Sequence, residues 1–403
     1  MSLPLLAGNS APLFRPSHTP VNQRIARCPV PRDQASKRIL IMRAGALGDI
    51  LMATPLLESL RNANPDAHIT WIVEDTQAGA IEANPHLDEI ILWNSKYWKR
   101  MLRRLNYPLW IYRSLLFRKA LQERNYDIFI SLQPEEWSLL TRHCGATERI
   151  GIFDTFARYY GKPYSGPNAH YFTHSYNGPE REEHRTNQYL LALEALNIPP
   201  VPDKRMRLGY TAEDRAKAKA FLSAQGISDE NPFVILVTQT TWPTKCWPAE
   251  RFVALADRLN AQGFKVLLSG SAAEREPVSQ IARKMASPPA MTTGELSFRE
   301  LAAVIDRASA LISGDTGPMH AASAMETPFV SLFGATAPQW YAPLSGHGIS
   351  LIHPIPCGPC DRKKCVNVGA DYEKCMRLIT VEEVYEATLQ TIARSTVKET
   401  AHE

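Results

Sequence analysis

The chain has 403 residues, which is too long for one compact hydrophobic core, so about two domains are expected. Its hydrophobic content of 44% and its charged content of 21% are ordinary for a soluble globular protein. No apolar run approaches the roughly 18 residues that cross a bilayer, and residues 1–6 do not open a secretory signal peptide. We therefore expect neither a membrane-spanning chain nor a secreted precursor.

The first half of the chain predicts an α/β domain preceded by an arm. Residues 1–36 are rich in proline and lack a periodic apolar pattern, so we expect a loosely ordered arm. Short apolar runs of the kind that form buried parallel strands follow at 38–42, 69–73, 89–93 and 127–132. Helices are expected over 49–62 and 187–197. A Pro-containing link comes next, and there we predict a boundary between domains 37–198 and 199–403.

The second half repeats the same alternation of strands and helices. Strands are expected at 233–237, 265–269, 310–313 and 329–333, and helices at 249–261, 272–285 and 298–308. Further helices are expected to start at Thr211 and Thr380, because each has an acid three residues on, as in a capping box. This alternation predicts a parallel α/β sheet in each domain. Such sheets bind ligands outside the carboxyl ends of their strands, so we expect a cleft between the domains.

The first candidate site is Gly45-Ala46-Leu47-Gly48-Asp49, which follows an apolar strand and opens a helix. A turn of small residues there directs backbone N–H groups at one place, and the helix dipole favours an anion. Asp49 would stay ionised and face the cleft, as a general base requires. The competing interpretation is that Asp49 only caps the helix. The turn is not the G-x-G-x-x-G fingerprint, which disfavours a nicotinamide enzyme.

Two loops of the second domain carry groups suited to a nucleotide diphosphate. Thr240, Thr241 and Lys245 follow a predicted strand, where hydroxyls and an ammonium can bind phosphate oxygens. Glu274 follows the next strand, where an acid can accept both ribose hydroxyls, and Glu276 is the competing acid. The alternatives are that Lys245 is an ordinary surface lysine and that Glu274 or Glu276 is an exposed helical glutamate.

The most informative stretch is Ser313-Gly314-Asp315-Thr316-Gly317-Pro318-Met319-His320, which again joins an apolar strand to a helix. Thr316 and Gly317 would offer hydroxyl and N–H donors to phosphate, and Asp315 and His320 add an acceptor and a donor at the same place. The competing interpretation is an ordinary turn with a satisfied histidine. No acidic D-x-D pair is positioned to hold a divalent ion, so any reaction catalysed at these motifs is predicted to be metal-independent.

Taken together and in this order, the three motifs resemble family 9 of the glycosyltransferases, the bacterial ADP-heptose:lipopolysaccharide heptosyltransferases, over about residues 37–393. The resemblance implies a GT-B-like fold of two Rossmann-like domains, with residues 37–198 on the acceptor side and 199–403 binding the nucleotide sugar. It implies that Asp49 is the general base of an inverting transfer of heptose from ADP-heptose to a lipopolysaccharide-core-type acceptor.

A basic segment in the first domain points to an anionic partner. Although the net charge is only +4, residues 96–124 contain nine Lys or Arg residues and one acid. The resemblance implies an anionic, lipid-linked acceptor in this domain. We therefore predict acceptor binding, or peripheral contact with the inner membrane, by cations of this segment: Lys99, Arg100, Arg103 and Arg104. The alternative is a helix packed on the sheet with a solvated basic face, and we assign the leucines of the segment to packing.

Four of the seven cysteines lie within 19 residues: Cys357, Cys360, Cys365 and Cys375. This clustering argues against the disulfide framework of a secreted domain and favours a cytoplasmic protein. The spacing C-x₂-C-x₄-C-x₉-C could hold a structural zinc or iron ion, and the family carries similar runs. The alternatives are reduced structural thiols or a redox-sensitive cluster. No cofactor is expected for catalysis.

Several functions compete with heptosyl transfer. Within the same class, the donor could be another nucleotide sugar, or the acceptor a capsule, another glycan or a protein. Outside it stand a nucleotide-sugar 2-epimerase of similar fold and a non-catalytic, membrane-associated protein that binds nucleotide sugars. The presence of Asp49, Lys245, Asp315 and His320 argues against loss of activity. No nucleic-acid partner is expected.

Overall fold

The computed structural model describes residues 36–133, 143–153, 169–177 and 184–400. The predicted arm lies outside these ranges apart from its last residue. The described residues form two six-stranded parallel sheets, so the predicted α/β class with two parallel sheets is confirmed. No helix in the described ranges is both long and apolar enough to cross a bilayer.

The first sheet has the strand order β3-β2-β1-β4-β5-β6, and all neighbours are parallel. Its strands are β1 (Arg38–Met42), β2 (His68–Glu74), β3 (Glu89–Trp93), β4 (Ile128–Ser131), β5 (Glu148–Phe153) and β6 (His174–Asn177). The central strands β1 and β4 are apolar and buried, as expected for a sheet covered on both faces.

The second sheet has the order β12-β11-β10-β7-β8-β9 and is also parallel throughout. Its strands are β7 (Phe233–Val237), β8 (Lys265–Gly270), β9 (Ala290–Thr293), β10 (Ala310–Gly314), β11 (Phe329–Phe333) and β12 (Gly348–Ile352). Every residue of β7, β10 and β11 is buried, which explains why their uninterrupted apolar runs identified them in the sequence.

Helices join and cover these strands. In the first half they are α1 (Leu47–Met52), α2 (Thr54–Ala63), α3 (Ser95–Arg103), α4 (Tyr107–Gln122) and α5 (Arg185–Leu190). In the second half they are α6 (Ala212–Ala224), α7 (Ala249–Ala261), α8 (Arg275–Ala282), α9 (Phe298–Asp306), α10 (Gly317–Ala324), α11 (Pro338–Tyr341), α12 (Lys374–Leu378) and α13 (Val381–Thr400). The capping boxes predicted at Thr211 and Thr380 are both formed.

The prediction of one continuous helix over 49–62 is wrong. The chain forms α1 and α2 with a break at Ala53, which lies at the end of α1 and caps the start of α2. Pro55 is in the first turn of α2, where its missing N–H is tolerated, but it cannot donate a hydrogen bond back into α1. A helix expected over 187–197 also differs, because α5 ends at Leu190 and a 3₁₀ turn continues to Leu196.

Four strands were not predicted from the sequence: β5, β6, β9 and β12. Three of them, β6, β9 and β12, lie at the edges of the two sheets. An edge strand has only one neighbour and less cover, so its sequence need not be a continuous apolar run. The strand β12, for example, has no fully buried residue.

Each sheet reverses its strand order at a position that carries one of the sequence motifs. The strand β1 lies between β2 and β4, and the chain leaves it through Gly45 into α1. In the second sheet β7 and β10 are neighbours, and the loops after them contain Lys245 and Asp315. Open α/β sheets bind ligands at such switch points, so the fold brings the predicted motifs to two ligand-binding edges.

Two glycines allow these edges to meet, because they let α1 pack closely against α10. A Cβ atom on Gly48 would lie 2.5 Å from Cδ2 of His320, and one on Gly317 would lie 2.6 Å from Cδ2 of Leu47. Neither distance is tolerated between real atoms, so the packing requires the absence of a side chain at both positions. His320 is buried and cannot move aside easily.

We predict that Gly48→Ala lowers the midpoint of thermal unfolding, although alanine favours the helix by roughly 0.5–1 kcal/mol over glycine. The expected loss is about 1–3 kcal/mol, since the added methyl group would overpack the interface against His320. A double-mutant cycle provides the control: in a His320→Ala background the penalty of Gly48→Ala should largely disappear. A penalty that is unchanged in that background would contradict the proposed contact.

Candidate active site

Asp49 is surrounded by three polar side chains. Arg43 Nη2 lies 2.7 Å from Asp49 Oδ2, and Arg185 Nε lies 3.3 Å from Oδ1. The Tyr189 hydroxyl donates to Oδ1 at 2.8 Å. The backbone N–H of Ala46 donates to Oδ2 at 3.4 Å, so Asp49 also caps α1, as the competing interpretation of the sequence held.

The pKa of Asp49 lies well below its usual range. Burial alone would raise this pKa, but the charges of Arg43 and Arg185 and the hydrogen bond from Tyr189 outweigh burial. The carboxylate is therefore ionised throughout the pH range in which proteins are handled. Because this pKa is depressed in the folded state, its contribution to stability is present above the unfolded-state pKa near 3.9 and is lost only in strong acid.

On the facing side, Lys245 and Asp315 form an ion pair in which Asp315 is buried and Lys245 is half-buried. Lys245 Nζ lies 2.7 Å from Asp315 Oδ2, and the Thr336 hydroxyl donates to the same oxygen at 2.8 Å. The ammonium of Lys245 also lies 4.3 Å from the ring centre of Trp242, which adds a cation–π contact. This arrangement fixes a lysine at the carboxyl ends of β7 and β10, where the sequence predicted a phosphate-binding group.

His320 links the two clusters. Its Nε2 lies 3.9 Å from Asp315 Oδ1, and its ring packs on Gly48, the neighbour of Asp49. Burial lowers the pKa of His320, so the imidazole is neutral and has one N–H to donate. Its Nδ1 is buried and has no hydrogen-bond partner among the residues that the structure describes.

The remaining residues predicted to contact the nucleotide sugar differ in their partners and in their exposure. Thr316 is the N-cap of α10, and Gly317 is the first residue of that helix, so the Thr316 hydroxyl and the Gly317 N–H lie at the same helix start. The Thr316 side chain makes no capping hydrogen bond. The Thr240 hydroxyl donates to the carbonyl of Trp242 at 2.6 Å, which shapes the loop that carries Lys245. Thr241, by contrast, is exposed.

Glu274 has a structural role in its position after β8. Its Oε2 accepts hydrogen bonds from the backbone N–H of Ser271 at 2.7 Å and from the Ser271 hydroxyl at 2.8 Å. These bonds form one side of a capping box, which matches the alternative interpretation of a helical glutamate. A role toward ribose hydroxyls stays a prediction.

The four predicted acceptor-binding cations are exposed on or just after α3: Lys99, Arg100, Arg103 and Arg104. The helix packs on the sheet through Trp98 and Met101, which are both buried. The assignment of the leucines in this segment to packing is wrong for two of them, since Leu105 and Leu115 are exposed.

The four clustered cysteines line one pocket that opens to solvent. They are reduced, and their loop touches the donor loop, because the Thr244 hydroxyl donates to the carbonyl of Arg362 at 2.6 Å. Within the described ranges, however, no three His, Cys, Asp or Glu side chains are arranged to hold a metal ion. The zinc or iron ion therefore stays a prediction.

The sequence analysis missed Arg43, Arg185, Tyr189 and Thr336. Only Arg43 has a local signal, because it directly follows the buried strand β1 and precedes the glycine turn. Arg185 and Tyr189 are one helical turn apart on α5 but more than 130 residues from Asp49. No spacing rule connects residues at such a separation.

Known proteins resemble this chain in sequence over most of its length. The model of glycosyltransferase family 9 (heptosyltransferase) matches residues 114–370. The lipopolysaccharide heptosyltransferase 1 of Pseudomonas aeruginosa is 30% identical over 336 residues, which are 81% of this chain and 87% of that protein.

Solved structures show the same fold. The glycosyl transferase family 9 protein from Veillonella parvula aligns with a TM-score of 0.75 and 26% identity, over 89% of this chain and 98% of that one. The E. coli heptosyltransferase WaaC with ADP aligns with a TM-score of 0.67 and 20% identity, over 88% and 99%. Both the predicted resemblance and the predicted GT-B-like arrangement are thus confirmed. The chain belongs to glycosyltransferase family 9, the heptosyltransferase family, and is a glycosyltransferase.

Proposed function

We propose that this enzyme transfers a heptose from ADP-heptose to a lipopolysaccharide-core-type acceptor, with inversion and without a catalytic metal. One observation carries the proposal: Asp49 and the Lys245–Asp315–His320 cluster lie at two helix N-termini that are packed together. The names of the relatives support the sugar and the acceptor class, and WaaC, a protein of the same fold, was solved with ADP.

In the proposed reaction, the acceptor hydroxyl oxygen bonds to the anomeric carbon of the donor. The bond from that carbon to the phosphate oxygen breaks, and ADP leaves with the electron pair. The hydroxyl proton passes to Asp49. Attack on the face opposite the leaving group inverts the configuration, and this geometry requires the base and the diphosphate to lie on opposite sides of the sugar.

Asp49 suits this role through its position more than through its basicity. Its Oδ1 already accepts one hydroxyl, that of Tyr189 at 2.8 Å, and an acceptor hydroxyl has the same donor chemistry. Arg43 and Arg185 keep the carboxylate ionised, but by lowering its pKa they make it a weak base. Proton transfer to it becomes favourable only after the attacking oxygen has begun to bond to carbon, when its proton is acidic.

On the donor side, Lys245 and the N-terminus of α10 would balance the charge that develops on the diphosphate. The ammonium acts as a point charge, and the N–H groups near Thr316 and Gly317 add donors and a favourable dipole. His320 supplies a neutral N–H near the leaving group. We keep Thr240, Thr241 and Glu274 as further donor contacts to be tested by substitution.

The acceptor would approach from the carboxyl edge of the first sheet. The strands β1, β2 and β3 are parallel, so α3 starts at the same edge from which α1 presents Asp49. Exposed cations of α3 would therefore meet an anionic, lipid-linked saccharide on the side of the base. The reaction would then take place at the cytoplasmic face of the inner membrane.

A transfer assay read by mass spectrometry tests the proposed function. ADP-heptose is incubated with a panel of truncated lipopolysaccharide-core acceptors, and product mass and anomeric configuration are measured. One heptose added with inversion is expected. Transfer from a UDP- or GDP-sugar with none from ADP-heptose would contradict the proposed donor.

We predict that Asp49→Asn lowers kcat at least about 100-fold, in the range of roughly 10²–10⁴ that general bases contribute. ADP affinity should stay nearly unchanged, because a base acts mainly in the transition state. Tyr189→Phe is the control, since it removes the hydrogen bond to Oδ1 but keeps the carboxylate, and it should retain more than about a tenth of the turnover. If Asp49→Asn also retained more than about a tenth of the wild-type turnover, Asp49 would not be the general base.

We predict that Lys245→Ala weakens ADP binding by roughly 10–100-fold in isothermal titration, because hydrogen bonds to charged groups contribute about 1.5–3 kcal/mol. Lys219→Ala, at an exposed lysine on α6, is the control and should leave the affinity unchanged. Transfer should survive EDTA. Activity that disappears with chelator and returns with Mg²⁺ or Mn²⁺ would show that the metal-independent mechanism is wrong.

The cysteine loop is predicted to hold about one zinc or iron ion per chain, as a four-cysteine site implies. Elemental analysis of protein purified without added metal measures this, with Cys357→Ser and Cys375→Ser expected to lose the ion and unfold at lower temperature. Cys144→Ala, a buried cysteine of the first sheet's core, should keep the metal content. Metal-free wild-type protein that is folded and active would leave the four cysteines as structural thiols.

A further inference from the structure

The helical hairpin formed by α3 and α4 has two apolar faces. One face packs into the first domain through buried side chains: Trp98, Met101, Phe117 and Leu121. The other face points away from the protein and holds large apolar side chains that are 51–69% exposed: Leu105, Tyr107, Ile111, Tyr112 and Leu115. We call these five residues the apolar tip.

The backbone conformation of Leu105 is unfavourable for a leucine. It follows α3 with a φ of 54°, in the left-handed region that glycine usually occupies at a helix end. The N–H of Leu105 bonds to the carbonyl of Leu102, and that of Asn106 to the carbonyl of Met101, which is a Schellman motif. A leucine here strains the backbone, and with 69% of its surface exposed it gains little packing in return.

On α4 the apolar tip forms a continuous stripe. Ile111, Tyr112 and Leu115 repeat at spacings of three and four residues and therefore lie on one face of the helix. The stripe continues into Arg118 and Lys119, which are exposed one turn further along. A second copy of the chain would bring two such positive faces together, and the resulting repulsion disfavours self-association through the apolar tip.

The charge around the apolar tip selects its partner. Residues 96–124 carry nine Lys or Arg residues against one acid, and Lys99, Arg100, Arg103 and Arg104 are all exposed beside the tip. Exposed apolar and aromatic side chains edged by cations match the chemistry of an anionic bilayer surface, with acyl chains beneath a negatively charged headgroup layer. Tyrosines such as Tyr107 and Tyr112 favour the boundary between these two layers.

We propose that the α3–α4 hairpin docks on an anionic phospholipid bilayer and inserts its apolar tip into the headgroup region. The proposal rests on the proposed function only in linking this docking to a lipid-linked acceptor. Since α3 starts at the same edge of the sheet that presents Asp49, the docking hairpin and the proposed base share one edge of the first sheet. The helices lie at the interface and do not span the bilayer.

Vesicle co-sedimentation with the full chain tests the docking. The vesicles contain phosphatidylcholine alone or with phosphatidylglycerol, and the tip variant is Leu105→Gly, Ile111→Gln and Leu115→Gln. The control variant is Val366→Gln and Val368→Gln, which changes two equally exposed apolar residues of the second domain. We expect the tip variant to bind anionic vesicles at least tenfold more weakly and the control variant to bind like wild type.

Two further measurements separate docking from a structural role. Leu105→Gly alone should not lower the midpoint of thermal unfolding, because glycine relieves the left-handed strain. Replacement of Lys99, Arg100, Arg103 and Arg104 by Gln should weaken binding at low salt and change it little at high salt, where screening already hides these charges. Wild-type binding by the tip variant would overturn the proposal. So would a tip variant that changes from dimer to monomer with unaltered vesicle binding.

Transfer assays distinguish this proposal from the proposed function. The tip variant should keep wild-type turnover with a water-soluble, delipidated acceptor and should show a higher KM for a lipid-linked acceptor in anionic vesicles. If the tip variant and the wild-type protein had equal KM values for the lipid-linked acceptor, the link between docking and the acceptor would be refuted. If no acceptor receives a sugar from ADP-heptose, the proposed function fails, while the vesicle measurement still decides whether the tip docks.

Discussion

The packing of α1 against α10 is the constraint on which the candidate site depends. Gly48 and Gly317 let the two helix N-termini approach until His320 lies on the backbone beside Asp49. Both N-termini favour negative charge, so the same contact that joins the two sheets builds one electropositive mouth. A carboxylate that accepts a proton and a diphosphate that leaves can occupy that mouth from opposite sides. Packing and the proposed reaction therefore depend on the same two glycines.

The charged groups of this site are paired within each half. Asp49 is paired with Arg43 and Arg185, and Lys245 is paired with Asp315. Such pairing is needed because an unpaired buried charge would destabilise the fold by several kcal/mol. In the proposed reaction, substrates would compete with these existing partners: phosphate oxygens with Asp315 for Lys245, and an acceptor hydroxyl with Tyr189 for Asp49. Substrate binding would then exchange one partner for another at Lys245 and at Asp49.

Residues of this site could be predicted from the sequence where they belong to a short contiguous motif, and could not where they are brought together only by tertiary packing. Strand, small turn and helix start are contiguous, so Asp49, Lys245, Asp315 and His320 could be identified and their meeting expected. The partners of Asp49 could not, because Arg185 and Tyr189 come from α5, and their contact depends on how that helix packs. The same limit explains the unpredicted edge strands and the exposed Leu105. Local propensity describes the buried centre of a sheet better than its margins, where tertiary neighbours decide.

The parallel strands of the first sheet relate the membrane-docking hairpin proposed above to the proposed general base, Asp49. Parallel strands end at a common edge, so α1, with the proposed base, and α3, which begins the hairpin that carries the cations and the apolar tip, start at the same edge of the sheet. The second sheet contributes its own carboxyl edge, which holds Lys245 and Asp315, from the facing side. An acceptor anchored in a bilayer and a donor arriving from solution would therefore enter from different sides. That separation suits a single displacement, because the attacking and leaving oxygens must lie on opposite faces of the same carbon.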